Sequence, residues 1–295
     1  MSYNLTRGEK AFMCVNYFLL TLVCVVMLYP YLNAIAISFS DKNAVTLGKV
    51  SIWPIGFNTA SYQYILKNPR FLGGVRITLF TTIVGTFYSV FMTSLFAYPL
   101  SRNDFKLKTP LTLMVVVTMF FGGGLIPSYL LRRFLGLFDT IWVYIIPGGI
   151  NTWSLIILRN FFQQLPVELE ESAYIDGASD FTILIKIFVP ISLPSIATIT
   201  LWYLVGYWNV FAPSIYYTLK PELRTMQVVL RSVLMGSESI ASSNVMLDSE
   251  SIMRRMTSRS MEAAWIMATT IPILCVYPFL QKYFVKGVIV GSLKG

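Results

Sequence analysis

The sequence predicts an all-α integral membrane protein, a bundle of six transmembrane helices, and three observations predict it. Of 295 residues, 55% are hydrophobic and only 13% are charged, where an ordinary soluble domain carries roughly 25% charged residues. The apolar residues gather in six stretches free of Asp, Glu, Lys and Arg: Ala11–Ser40, Ile77–Ser101, Thr109–Leu131, Thr140–Leu158, Ile187–Leu219 and Ala263–Gln281. Each stretch is 19 to 33 residues long, and a helix needs about 20 to cross the hydrocarbon core. None shows the alternation of a membrane β-strand. Backbone polar groups in lipid must be satisfied within the protein, which leaves the helix bundle.

The first block begins after Arg7 and Lys10 and contains Ala34-Ile35-Ala36, a small-x-small pattern. A cleaved signal peptide is the alternative there, but its apolar core runs about 7–15 residues, and this block is twice that. The connection 41–76 carries Trp53, Pro54 and Gly56 and reads as folded. In the third block, Gly122-Gly123-Gly124 and Pro127 are helix breakers. The fourth has Pro147-Gly148-Gly149, followed by Asn151 and Trp153. The fifth starts with Pro190 and Pro194, continues through Gly206 to Pro213, and crosses over about 187–212. Proline removes a backbone donor. Such breaks read either as close helix packing or as a broken helix lining a substrate path. Residues 220–262 form the longest connection, without a span. The sixth block crosses at 263–281, and the chain reads as a single domain, 1–295.

Absences narrow the function. There is no histidine, and Cys14, Cys24 and Cys275 all lie in apolar blocks as small hydrophobes. No metal cluster or catalytic constellation emerges. The net charge of +9 is dispersed, which suits anionic lipid and not nucleic acid. No block holds the carboxylate expected of a proton- or sodium-coupled carrier, although unwound carbonyls remain able to hold Na⁺. There is no phosphate-binding G-x-x-x-x-G-K-[ST] loop. Transport driven by ATP therefore requires hydrolysis on another polypeptide, with no cofactor on this one. Lys and Arg are spread almost evenly between alternate loops, 10 against 13, so the positive-inside rule gives no orientation.

The connection between the fourth and fifth blocks is acidic. It reads Leu165-Pro-Val-Glu-Leu-Glu170-Glu171-Ser172-Ala173-Tyr-Ile-Asp176-Gly177-Ala178-Ser-Asp180 and leads into Pro190 and Pro194. Glu168, Glu170 and Glu171 suit the start of a short helix, and Gly177 suits its end. A second short helix then enters the fifth span. This pattern resembles the coupling loop of ABC importer permeases, with Ser172 in place of the first alanine of Glu-Ala-Ala. The tail Gln281-Lys-Tyr-Phe284, followed by Gly287 and Gly291-Ser-Leu-Lys-Gly295, is similar to carbohydrate-type permeases of the maltose second-subunit kind. Tyr29-Pro30 and Ser38-Phe-Ser40 look like the same group.

The resemblance implies a type I ABC importer permease fold in a bacterial cell membrane. It implies a second permease subunit, two ATPase subunits holding ATP and Mg, and an extracellular solute-binding protein that delivers an oligosaccharide. It places both termini and the loop 165–186 in the cytoplasm and 220–262 outside. Glu170, Glu171, Ser172, Ala173, Asp176, Gly177 and Pro190 would couple to the ATPase, and Met235, Gly236 and Ser237 would meet the binding protein. A permease for a peptide or polyamine and a secondary transporter are the alternatives. For sugar contact, aromatic faces and amides suggest Tyr203, Tyr207, Trp208 and Asn209, with Asn151 and Trp153 at the break. Tyr203 and Tyr207 share a helix face, and Trp202 aligns with Asn209. An interfacial aromatic belt is the competing reading, strongest for Tyr216 and Tyr217.

Overall fold

The computed structural model describes residues 6–235 and 256–292, and among them every regular element is helical. In chain order the α-helices are α1 Arg7–Ser38, α2 Lys42–Thr46, α3 Ala60–Lys67, α4 Pro69–Ser101, α5 Lys108–Phe120, α6 Leu125–Phe134, α7 Trp142–Ile145, α8 Thr152–Gln163, α9 Glu168–Ile175, α10 Asp180–Ile183, α11 Val189–Ile191, α12 Leu193–Trp208, α13 Ala212–Tyr216, α14 Met226–Leu234 and α15 Ser258–Ser292. The chain divides into two compact units, Met1–Asn68 with Val233–Thr270 and Pro69–Ser232 with Ile271–Gly295.

In the first unit, α1 starts with a capping box. Thr6 Oγ1 accepts from the Glu9 amide, and the Glu9 carboxylate accepts from the Thr6 amide. That satisfies two of the donors a helix start leaves open. Among the described residues, none of the most apolar stretch of α1 is buried. Only its end, at Ala36, Ile37 and Ser38, is buried. The connection after it is folded, as Trp53, Pro54 and Gly56 suggest. Asn33 Nδ2 donates to the Ser51 carbonyl at 2.7 Å, Ser40 Oγ accepts from the Ile55 amide at 3.0 Å, and Phe39 stacks on Tyr62 at 4.6 Å.

In the second unit, α4 is the axis on which α8 and α12 pack. Its buried face is small and hydroxylic: Gly74, Thr78, Thr81, Gly85, Ser89, Thr93 and Ala97 recur every three or four residues. Small residues allow close helix approach in a setting where lipid is as apolar as leucine. A methyl group on Gly85 would lie 2.7 Å from the Tyr207 ring, and one on Gly74 would lie 3.1 Å from the Met226 backbone.

Six continuous crossing helices are not what the structure displays. Among the described residues, α1 and α4 are the unbroken helices long and apolar enough to cross, and the pair Asp180–Ile191 with Leu193–Tyr216, bent by 88°, adds a third. The breakers are the reason. Gly124, at φ +76°, separates α5 from α6. Pro147 and the turn to Asn151 separate α7 from α8. A π turn at Leu184–Phe188 and prolines at 190 and 194 produce the bend before α12. Helix α15 runs 35 residues across the sixth block.

Candidate functional site

Two features of the second unit carry functional side chains, and α4 holds both. At its C-terminal end, α9 and α10 form a knob. Helix α9 ends in a Schellman turn: Gly177 has φ +78°, the Ala178 amide donates to Ala173 O at 2.9 Å, and the Gly177 amide donates to Tyr174 O at 2.9 Å. Glycine adopts this left-handed cap without a Cβ penalty. Ser179 then caps α10, accepting from the Thr182 amide.

The knob is fastened from beneath. Glu170 is only 5% exposed. Its carboxylate accepts from Tyr98 Oη at 2.6 Å and pairs with Arg102. Arg102 also donates to Tyr98 Oη at 2.9 Å and to Tyr174 Oη at 3.2 Å. It lies over both rings, at 5.6 and 5.5 Å. Tyr174 in turn donates to Asp180. Below this network Phe188 meets Tyr98 and Phe162 edge-on, at 5.0 and 5.4 Å. A buried carboxylate needs a partner of this kind, and here it ties α9, α10 and the end of α4 into one piece.

Behind Tyr203 and Tyr207, which bond the middle of α4, lies a cavity of about 460 Å³, lined by Arg132, Tyr144, Gly148, Asn151, Trp202, Tyr203 and Tyr207 among others and by no residue of α4 itself. Its wall is built around the break between α7 and α8. Tyr203 Oη accepts from the Asn151 amide at 2.8 Å and bonds Thr93 Oγ1 at 2.7 Å. Tyr207 Oη donates to Ile145 O at 3.3 Å and bonds Ser89 Oγ at 2.8 Å. Ser89 Oγ also reaches Gly148 O at 3.3 Å. Non-helical backbone at membrane depth is tolerated where protein satisfies it, and these hydroxyls do so. Asn151 itself caps α8, its Oδ1 accepting from the Ser154 amide.

At the other end of α4, the chain from 217 to 226 folds back. The Met226 amide donates to Thr78 Oγ1 at 2.9 Å, and Tyr144 Oη donates to Leu223 O at 2.6 Å. Asp139, the one non-glycine residue at positive φ among the described residues, accepts from the Leu219 and Lys220 amides at 2.9 and 3.0 Å. Those amides hold its carboxyl below the usual carboxylate value. Thr78 and Tyr98 are about 30 Å apart at 1.5 Å per residue, close to the thickness of the hydrocarbon core.

No family model matches the chain. Known proteins do. The chain is 42% identical to the polygalacturonan/rhamnogalacturonan transport system permease protein YtcP of Bacillus subtilis (strain 168), over 93% of this chain and 94% of that one. This chain belongs to the carbohydrate ABC transporter permeases. A bacterial ABC transporter involved in the import of the acidic polysaccharide alginate contains a chain that superposes on this permease with a TM-score of 0.86 and 29% identity, covering 95% of this chain and 99% of that one. A chain of the alginate transporter in complex with an alginate pentasaccharide-bound periplasmic protein shares the fold, with a TM-score of 0.56, 15% identity and coverage of 93% and 94%.

In this permease Glu171, Ser172, Asp176, Gly177 and Pro190 are exposed, whereas Glu170 and Ala173 are buried. Of the seven residues expected to couple to the ATPase, five are therefore open to an outside contact and two are turned inward. On an eight-residue helix lying against α4, one face must point inward, and Glu170 and Ala173, three apart, occupy it. Of the expected path residues, the cavity wall contains Asn151, Tyr203 and Tyr207 and lacks Trp153, Trp208 and Asn209. Trp153 is 62% exposed. Trp208 falls on another face of α12 and is buried. Asn209 is the C-cap of α12, its amide still donating to Val205 O at 3.1 Å. Its Nδ2 donates back to Val205 O at 2.9 Å, and its Oδ1 accepts from Gln227 Nε2 at 3.4 Å. Tyr203 and Tyr207 are 7% and 6% exposed, with hydroxyls committed to the helix break and to α4. Met235 ends a described segment, and Gly236 and Ser237 lie outside the described residues.

The sequence reading did not find Tyr98, Arg102, Ser89 or Arg132. For the first two a signal was available: a tyrosine and an arginine four apart at a helix end share a face, seventy residues before a cluster of carboxylates.

Proposed function

We propose that this permease forms, with a second permease subunit, the membrane path of an ATP-driven, binding-protein-dependent oligosaccharide importer. It crosses the bilayer six times with both termini in the cytoplasm. ATP and Mg act on two separate ATPase subunits, and the loop 165–186 carries their motion into the membrane. The observation that carries this reading is the shared helix: α4 has the knob fastened at one end and two tyrosines of the cavity wall bonded to its middle. A shift of the knob is thereby a shift of the cavity wall.

Further features support it. The outer face of the knob combines exposed carboxylates with Ile175, 86% exposed, and Val167, a mixed surface suited to docking in a protein cleft. The cavity falls within the range of about 300–1,000 Å³ of small-molecule sites and has the aromatic rings that sugars stack on. YtcP is named for polygalacturonan and rhamnogalacturonan, and the alginate transporter was captured with a saccharide-bound periplasmic protein. The same partners, a polysaccharide fragment and a binding protein, are those expected here.

The test is reconstitution of the chain in liposomes with its neighbouring permease, ATPase and binding protein. Stimulation of ATP hydrolysis by the loaded binding protein is expected, with loss of most of it in Glu171→Ala and Gly177→Pro. Failure of the chain to associate with any ATPase would overturn the reading.

A further inference from the structure

The cavity contains one charge. Among the described residues that line it, Arg132 is the single ionisable side chain of ordinary charge at neutral pH, and no Asp or Glu is present. Arg132 is held in place without being neutralised. Its guanidinium packs on the Tyr217 ring at 4.3 Å. One terminal nitrogen donates to Ser128 O at 3.1 Å and reaches Tyr217 Oη at 3.5 Å. Nε is buried without a partner. No carboxylate among the described residues pairs with it. Of the other half-buried arginines of this unit, Arg102 has Glu170 and Asp104, and Arg159 donates to Leu100 O and Asn160 Oδ1. A buried donor such as this Nε is costly to leave without an acceptor, and the planar fork of a guanidinium favours a planar carboxylate.

We propose that Arg132 is a specificity-determining residue that pairs with the carboxylate of a uronic-acid residue, so that the saccharide passing this cavity is anionic. This rests on the reading of the chain as a saccharide permease and names the class of sugar. The arrangement divides the work: Arg132 meets the carboxylate, while Trp202 and Asn151, exposed in the same wall, offer a ring face and an amide to the sugar itself. A single guanidinium balances one carboxylate. A phosphorylated sugar, with about two charges at neutral pH, would leave one uncompensated.

The experiment uses the complete reconstituted importer with its binding protein, and compares trigalacturonate with its neutral methyl ester. Uptake into proteoliposomes, ATPase activity and calorimetric binding of each sugar to the transporter without binding protein are measured for the parent, Arg132→Gln and Arg132→Lys. Losing a charge-assisted contact predicts a tenfold to hundredfold weaker binding of trigalacturonate, on the order of what such bonds contribute. Arg132→Gln is expected to show that loss in binding and uptake of trigalacturonate with a much smaller change for the methyl ester, and Arg132→Lys to recover part of it. An equal loss for both sugars would make Arg132 structural and overturn the inference, as would no loss for either. Parent transport of the neutral sugar alone would overturn it while leaving the saccharide reading intact. A parent that lacks stimulated ATPase and transports neither sugar would overturn the saccharide reading, and the inference with it.

Discussion

Glu170 shows how a residue of a docking motif serves its own chain. Its carboxylate is enclosed by Tyr98 and Arg102, whose side chains are otherwise committed to the same knob. Removing one member of a buried pair typically costs about 3–5 kcal/mol, whereas replacing both with apolar groups is often close to neutral; because Arg102 keeps the exposed Asp104 as a partner, that cost is an upper value here. Glu170→Ala is therefore expected to lower the thermal midpoint of the detergent-solubilised transporter sharply, and the exposed Glu171→Ala to leave it nearly unchanged. The double change Arg102→Met with Glu170→Leu should regain most of the stability. Equal midpoints for Glu170→Ala and Glu171→Ala would show that the pair does not hold the knob. The two neighbouring glutamates thus separate by role: one fastens α9, the other faces outward.

At the scale of elements, the broken helices depend on hydroxyls from their neighbours. The turn between α7 and α8 leaves backbone groups that a continuous helix would have satisfied, and α12 supplies Tyr203 and Tyr207 four residues apart to meet them. Tyr203→Phe removes the acceptor of the part-buried Asn151 amide and the partner of the buried Thr93 hydroxyl. A fully buried orphaned donor costs about 1–3 kcal/mol, an upper value here, so the variant should unfold at lower temperature and expose the segment 146–151 to faster amide exchange. Unchanged exchange across that segment would mean that the hydroxyl is not what holds the break. The same logic explains the composition of α4. Its threonines, serines and glycines are what allow α8 and α12 to come close enough for tyrosine hydroxyls to reach across. The alternation of small residues every three or four positions was visible in the sequence, within a block legible only as apolar and long.

For the whole molecule, α4 sets distances. The knob at Tyr98 and the folded-back chain at Thr78 stand about 30 Å apart along one helix, a membrane's hydrocarbon thickness. Exposed residues beyond each end, Asp104 and Glu222, should therefore lie on opposite faces of the bilayer. With the three native cysteines replaced by serine, Asp104→Cys in sealed right-side-out vesicles is expected to resist a membrane-impermeant maleimide and Glu222→Cys to react. Labelling of both from one side would be incompatible with the proposed topology. The first unit contributes a different surface: the most apolar part of α1 is uncovered among the described residues, as a helix facing lipid or another subunit is.

The sequence by itself determined the solvent and the motif. Six uncharged blocks of 19 to 33 residues suit lipid, because each is long enough to cross the hydrocarbon core. The run from Leu165 to Asp180 specified two short helices around Gly177, because an acidic first turn, a left-handed glycine and a capping serine act within a few residues of one another. Tertiary structure decided what depends on long-range encounters. Whether Glu170 faces the ATPase or its own chain turns on Tyr98 and Arg102, some seventy residues earlier. Whether Asn209 reaches the path turns on Gln227 bonding its side chain, and whether Tyr203 serves a sugar or a backbone turns on Asn151 lying opposite. Arg132 stands outside every apolar block and carries no motif. Only packing on Tyr217, 85 residues later, brings its charge to the cavity that Tyr203 and Tyr207 line.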